Sequence, residues 1–266
     1  MSAGQLLAEY RRARRMSQLD LGLQASVSTR HVSFVETGRA SPSRDMLMRL
    51  ADVLDLPHRE TNMLLTAGGF TPAYSDADLS SPEMKTIRDA LMVMLRNQEP
   101  FPATVVDGSW NILMGNRVHS ALLDAIVPEQ KRQGRLNVLE LLFDPQAFRP
   151  LVTNWEMLAS WMLRRLRRQL TAFPDESMRR LLSRLLAMDP PANWQQPNED
   201  GIEGPMITFD MAIGGQRLSL FSTLSRFGTA LDVGAQELLV ESYFPVDDAT
   251  RQFFHGFAKS SGIECA

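Results

Sequence analysis

The sequence predicts an α+β protein in two parts: an all-helical N-terminal domain, then a five-stranded antiparallel sheet with flanking helices. Three observations carry this. Residues 1–70 break into short helical runs, two of them opened by the capping serines Ser17 and Ser28. Two strand-like runs bracket the turn dipeptide Asp107-Gly108. Three more follow residue 205, the first two separated by the hairpin signal Gly214-Gly215.

Taken in order, Leu6, Leu7 and Tyr10 space a first helix. Ser17 heads a helix over 18–24, and Ser28 heads another over 29–37, with Gly38 as its C′ residue. Met46, Leu47, Leu50, Ala51 and Leu54 keep a helical period until Pro57, and 60–67 add a short helix before Gly68-Gly69. Residues 71–82 are rich in Ser, Asp and Pro and read as a linker. Residues 83–97 put Met84, Ile87, Leu91, Met94 and Leu95 on one stripe. That helix either packs on its own domain or serves as a connector or dimerisation helix. The domains are therefore expected at 1–70 and 101–266, with a linker and connector helix over 71–100.

In the second domain, strands are predicted at 104–107 and 110–114, and a helix over 117–126 capped by Asn116. A long amphipathic helix over 150–170 turns Leu151, Trp155, Leu158, Met162 and Leu166 inward, and 175–188 form another. A Pro/Asn/Gly-rich loop fills 190–205, and strands follow at 206–213, 217–223 and 237–244.

Composition is that of an ordinary globular chain, with 44% hydrophobic and 22% charged residues. No apolar run is long enough to span a membrane, and the polar, basic N-terminus lacks a signal-peptide core. The single cysteine, Cys265, allows no internal disulfide, and the cytoplasm is the expected compartment. Net charge is −3, but residues 1–50 hold eight arginines against four acids. A head of +4 on a remainder of −7 suits a nucleic-acid-binding module attached to something else.

The segment SQLDLGLQASVSTRHVSFVETG, residues 17–38, has what a helix-turn-helix needs: two short helices, a tight turn, and small polar or basic groups opening the second helix. Leu21, Gly22, Val27, Val32 and Val35 supply inner positions, completed by Leu19, Leu23 and Leu50. Ser28, Thr29, Arg30, Ser33 and Phe34 fall on or near the outer face. Through Ser17-Gln18, Leu21, Val27-Ser28, Ser33, Glu36, Gly38-Arg39 and Pro42-Ser43, residues 4–67 resemble the Xre/Cro-type helix-turn-helix family. Two departures are Ser26, where the family has Gly in the turn, and Gly22 in place of Ala. The resemblance implies that Gln18 contacts phosphate and the groove edge. It places Thr29, Arg30 and Phe34 at base-reading positions, Arg30 facing guanine and Phe34 or the Thr29 methyl facing a thymine methyl. Ser28, Ser33, Arg39 and Ser43 become phosphate contacts, Glu36 a brace within the domain, and His31 a packed or surface residue.

Beyond the head, Asn111–Asn116 (NILMGN), Phe148-Arg149-Pro150 with Asn154-Trp155, and the stretch 218–248 (LSLFSTLSRFGTALDVGAQELLVESYFPVDD) resemble the MmyB-like regulators. The likeness covers nearly the whole chain. It implies a PAS-like ligand-binding domain, a small apolar fatty-acid-like effector and a homodimer. Independently, two strands, helices, then three strands make a sheet whose covered face can enclose an apolar cavity. Candidate ligand-binding residues are Val105, Leu113, Leu142, Phe143, Trp155, Leu158, Trp161, Met162, Phe209 and Phe221, with Leu139 and Leu220 also inward. Each could equally be plain core. Fifteen methionines favour an adaptable pocket. Asn154, Arg149 or Arg164 could hold a carboxylate head, and the run Arg164, Arg165, Arg167, Arg168 reads as a solvated helix face.

No phosphate loop, dinucleotide fingerprint or nucleophile elbow is present, so no catalytic residue is assigned. The four histidines share no metal-ligand spacing, so neither metal nor cofactor is assigned beyond a bound apolar molecule. A haem or flavin sensor would need a cavity-facing His or Cys, and His119 is the histidine placed for it. The expected function is a ligand-responsive regulator binding double-stranded DNA. The alternative is a DNA-bound regulator whose second domain is a packed protein-interaction module.

Overall fold

The structure is a computed structural model that describes residues 1–172, 175–196, 206–228 and 230–264. Packing divides it into two units. The first comprises the described residues of Met1–Ser81, Thr171–Pro174 and Phe227–Gln236; the second comprises those of Pro82–Leu170, Asp175–Arg226 and Glu237–Ala266. Cys265 and most of the 190–205 loop lie outside the described residues.

The first unit is built on five helices: α1 (Ala3–Ala13), α2 (Gln18–Gln24), α3 (Thr29–Glu36), α4 (Arg44–Val53) and α5 (His58–Ala67). Their starts are set by serines. Ser2, Ser17, Ser28 and Ser43 are N-caps of the first four, each hydroxyl accepting from the backbone N–H three residues on. A cap of this kind contributes about 1 kcal/mol. Leu7, Leu21, Val32, Leu47, Leu50, Leu64 and Leu65 are fully buried in one core. Leu19 and Leu23 are not part of it, being 54% and 70% exposed. On α2, Leu21 and Ala25 face inward, and at about 100° per residue positions 19 and 23 fall on the opposite stripe.

The turn between α2 and α3 shows why both departures from the family pattern matter. Ser26 adopts a left-handed φ of 55°. Gly22 lies so close to the start of α3 that a Cβ there would stand 2.6 Å from the Val27 carbonyl oxygen. Its absence of side chain is what lets the two helices meet.

The second unit carries α6 (Lys85–Gln98), β1 (Ala103–Val106), β2 (Ile112–Gly115), α7 (Arg117–Ile126), α8 (Val138–Phe143), α9 (Trp155–Ala172) and α10 (Glu176–Leu186). Then follow β3 (Phe209–Ile213), β4 (Gln216–Ser225), α11 (Val233–Glu237), β5 (Leu239–Pro245) and α12 (Asp248–Ser260), with most of α11 assigned to the first unit. The strands form one antiparallel sheet in the order β2-β1-β5-β4-β3. That is the PAS-like order.

Turn chemistry positions the hairpins. The Asp107 carboxylate accepts from the Ser109 and Asn111 backbone N–H groups, each at 2.9 Å. Trp110 takes φ 66° in this turn, so the second strand begins at Ile112 rather than 110. Gly214 and Gly215, both at positive φ, close the β3–β4 hairpin. Asn116 caps α7, accepting from His119 N–H at 2.9 Å. The stripe expected over 83–97 appears as α6 after one tight turn at Pro82–Met84; Leu91 and Leu95 are buried, and the helix packs on β1. The long helix expected from 150 starts at Trp155, preceded by a single turn at Arg149–Leu151. Helix α12 closes the unit, with Phe254 and Ala258 buried against Leu218, Leu220 and Met211.

Candidate functional site

The first candidate site is the exposed face of α2 and α3. Ser28 caps α3, so its hydroxyl already serves His31 N–H at 3.2 Å. Thr29, Ser33 and Phe34 are half-buried, while Arg30 and Arg39 are exposed. The Arg30 guanidinium lies 5.2 Å over the Phe34 ring, so these two candidate base-reading side chains form one stacked unit. Ser43 is exposed at the N-terminus of α4, its Oγ accepting from Met46 N–H. His31 is half-buried.

Gln18 is tied down. Its Nε2 donates to Glu36 Oε2 at 2.7 Å. Glu36 also accepts from Arg11 Nε (2.6 Å) and Nη2 (2.9 Å), and Arg11 Nη1 donates to the Met16 carbonyl at 2.7 Å. Burial pushes the Glu36 carboxyl up, but the Arg11 and Gln18 hydrogen bonds and the Arg11 charge together hold it below the usual carboxylate range. Glu36 therefore braces α1, α2 and α3 against each other.

The second candidate site is a cavity of about 480 Å³ within the second unit, between the sheet and the helices α7, α8 and α9. Leu142, Leu158, Trp161, Met162 and Phe209 line it, as do Leu139 and Leu220. The other five candidates sit elsewhere, and strand geometry explains three of them. Glu241 on β5 faces Leu224 of β4 and Thr104 of β1, while Tyr243 faces Ser222; paired residues share a face, and this is the cavity face. Val105 pairs with Val240, and Phe221 with Phe244, one residue out of step and so on the opposite face. Phe221 and Phe244 stack there, centroids 5.2 Å apart. Leu113 is the extra residue where the β1–β2 register shifts, which takes it out of the alternation. Phe143 and Trp155 pack edge to face at 4.8 Å in the core, with Arg149 over the Trp155 ring.

The expected carboxylate holders are engaged elsewhere. Asn154 bonds the Thr208 carbonyl and Asp210 N–H, Arg149 the Met188 carbonyl and Asp189, and Arg164 the carbonyls of Trp194 and Gln196. Nor is the arginine run simply a solvated face. Arg165 lines the cavity, its guanidinium 5.2 Å from the Trp110 ring and 5.3 Å from the Trp161 ring, and Arg167 lies over Trp194.

Of the polar lining, the sequence points to His119 alone; Thr208, Ser222, Glu241 and Tyr243 carry no such expectation, and Arg165 reads there as part of a solvated face. Burial lowers His119 to a pKa of about 4, so the imidazole is neutral near neutral pH. Burial raises the Glu241 carboxyl, outweighing the Ser222 and Tyr243 hydroxyls and the Arg165 charge that lower it. The missed signal was legible: in LLVESYFP, Leu239, Glu241 and Tyr243 alternate on one face, so an acid stands at an inward position. Among the described residues, no group of three or more His, Cys, Asp or Glu is placed to hold a metal ion.

Comparison with known families decides what these two sites belong to. A model described as the MmyB-like transcription regulator ligand binding domain matches residues 87–255, and a helix-turn-helix model matches residues 7–60. The chain belongs to the MmyB-like transcription regulators. It is a DNA-binding transcription regulator with a ligand-binding domain. The MmyB-like match spans every residue that lines the cavity, from Pro102 to Tyr243, and the helix-turn-helix match spans α2 and α3 whole. A solved structure titled "Structure of an RNA-binding Light-Oxygen-Voltage Receptor" is similar over 98% of this chain, at 13% identity and a TM-score of 0.27. The chain spans 62% of that structure's length, and a TM-score this low carries no argument. No curated protein matches the chain. No helix among the described residues is long and apolar enough to cross a membrane.

Proposed function

We propose that this MmyB-like regulator is a homodimer that binds a pseudo-palindromic operator, and that a small apolar, fatty-acid-like molecule in the second unit changes its affinity for that DNA. The observation that carries the ligand is the cavity. Its volume of about 480 Å³ falls in the range of small-molecule sites, and its wall is mainly aliphatic and aromatic with a few convergent polar groups. In the DNA-binding unit, Thr29 and the stacked Arg30–Phe34 pair read bases. Ser28, Ser33, Arg39 and Ser43 contact phosphates, and Gln18 marks the groove edge from a position held by Glu36.

Coupling is supported by chain connectivity. Strands β4 and β5 carry Ser222, Leu224 and Glu241 of the cavity wall, and the segment joining them, Phe227–Gln236, belongs to the first unit. There Asp232 accepts from Ser75 Oγ and Ala77 N–H, and Gln236 Oε1 accepts from His58 N–H at 2.8 Å. A ligand shifts the regulator only by preferring one arrangement of these strands over another.

Two measurements test this. Purified full-length protein should bind its own promoter at least about a thousandfold tighter than scrambled DNA at physiological salt. Equal affinity for both would remove the operator. Native mass spectrometry should retain a lipid-sized adduct. A bare protein that gains no thermal stability from any apolar probe would remove the ligand and leave a protein-interaction domain.

A further inference from the structure

Arg165 reaches from α9 into the cavity wall, and its contacts there leave its hydrogen-bonding edge unused. Its guanidinium lies 5.2 Å from the Trp110 ring and 5.3 Å from the Trp161 ring. Among the described residues it makes no hydrogen bond and no ion pair. Its neighbour Arg164 differs, donating to the carbonyls of Trp194 and Gln196. Ring contacts draw on the charge of a guanidinium and not on its in-plane N–H groups. The fork that fits a planar oxyanion is therefore left without a protein acceptor.

Charge at this end is also uncompensated. Arg165 is half-buried and is the one permanent cation among the described residues of the wall. Burial lowers its basicity, Glu241 raises it, and the charges of Arg226 and Arg168 lower it again, so two further cations act on the same spot. A guanidinium stays protonated through such shifts. Glu241, the acid of the wall, is 3% exposed, and its burial raises the carboxyl toward the neutral form. His119 is neutral there too. The balance is positive, in a wall otherwise mainly aliphatic and aromatic, where charge is weakly screened. A cation held partly out of water is costly, and a bound anion offsets that cost.

We infer that Arg165 is the head-group anchor of the cavity: the ligand is an apolar monocarboxylic acid bound as its carboxylate, which takes the guanidinium N–H fork while Trp110 and Trp161 hold that fork in place. The chain of the acid lies against the aliphatic and aromatic wall. Arg165 thus supplies the contact that Arg149, Asn154 and Arg164, all engaged elsewhere, do not. This rests on the reading that the cavity holds a fatty-acid-like ligand.

The test uses full-length protein and three probes of one chain length, decanoate, its methyl ester and decanol, titrated by calorimetry at a pH near 8, where the acid is ionised. Decanoate should bind at least about tenfold tighter than either neutral probe, the size of one charge-assisted contact. Arg165→Gln should weaken decanoate by about tenfold or more and leave decanol within about twofold, which also shows that the variant is folded. Arg165→Lys keeps the charge but not the fork, and should weaken decanoate by about threefold. If all three probes bind the wild type equally, the anchor is overturned and the apolar cavity stands. If decanoate keeps its preference in Arg165→Gln, the assignment to Arg165 is overturned. Should Arg165→Gln fail to fold, Arg165→Lys decides, since an unchanged decanoate affinity there overturns the anchor. If no probe binds, this inference and the ligand reading fall together.

Discussion

Arg11 and Glu36, on the first and third helices, meet in a two-pronged ion pair, Nε to Oε1 at 2.6 Å and Nη2 to Oε2 at 2.9 Å. Their side chains are 11% and 4% exposed. Desolvating both charges is costly, and the geometry repays it with paired hydrogen bonds plus those to Gln18 and Met16. Removing one partner strands the other. Arg11→Met should destabilise the DNA-binding unit by about 3–5 kcal/mol, and the double variant Arg11→Met/Glu36→Leu by clearly less. Urea unfolding of the three proteins checks this; equal losses in single and double variants would show that the pair is not the cause.

Ser26 sits at φ 55°, where an L side chain costs about 1–2 kcal/mol and glycine costs little. Ser26→Gly should raise the unfolding midpoint, with the gain held near 1 kcal/mol or less because glycine also loosens the unfolded chain. A lowered midpoint with native circular dichroism would show that the hydroxyl, rather than the turn, sets this position.

Arg30 and Arg39 are both exposed cations on the DNA-binding unit, but only Arg30 is stacked on Phe34. Arg30→Ala should cost about 1–3 kcal/mol on the cognate operator and relax sequence preference at one base pair. Arg39→Ala should weaken cognate and scrambled DNA alike and reduce the slope of log affinity against log salt by about one. Binding isotherms across a salt series separate the two.

His119 is buried at the cavity with its pKa lowered to about 4, against 6.5 for the free side chain. The unfolded state therefore binds the proton first as pH falls. Stability from this group is full above pH 6.5 and is lost progressively toward pH 4, by up to about 3 kcal/mol. His119→Gln should flatten that part of the profile for the second unit. A wild-type profile that is already flat between those values would show that the imidazole is not held neutral.

Where cause and effect lie within a few residues, structure was readable directly. The helices over 18–24 and 117–126 stand where Ser17 and Asn116 place them, because a cap acts on the N–H three residues on. Helix α12, absent from the elements predicted above, carries such a signal too, with Asp247 accepting from Thr250 N–H and Phe254 and Ala258 four apart on its buried side. As leucines, Leu19 and Leu23 suggest core positions, but the helical angle set by the inward Leu21 and Ala25 turns them outward. In the cavity, the alternation of β5 could have singled out Glu241. Nothing local could have separated Leu142, which lines it, from the adjacent Phe143, which does not.

By itself, then, the sequence determined a helix-turn-helix head and a five-stranded sheet behind it, since caps, turns and periodicity act over short spans, and its motif stretches carried the resemblance to the MmyB-like regulators. Only the tertiary structure decided that Gln18 is anchored by Glu36, that Arg165 lies between two tryptophans, and that Trp110 and Glu241 share one cavity. Apart from Trp161 and Arg165, neighbours on one helix, those meetings join residues from 18 to 131 positions apart, and they exist only once helices and strands have packed.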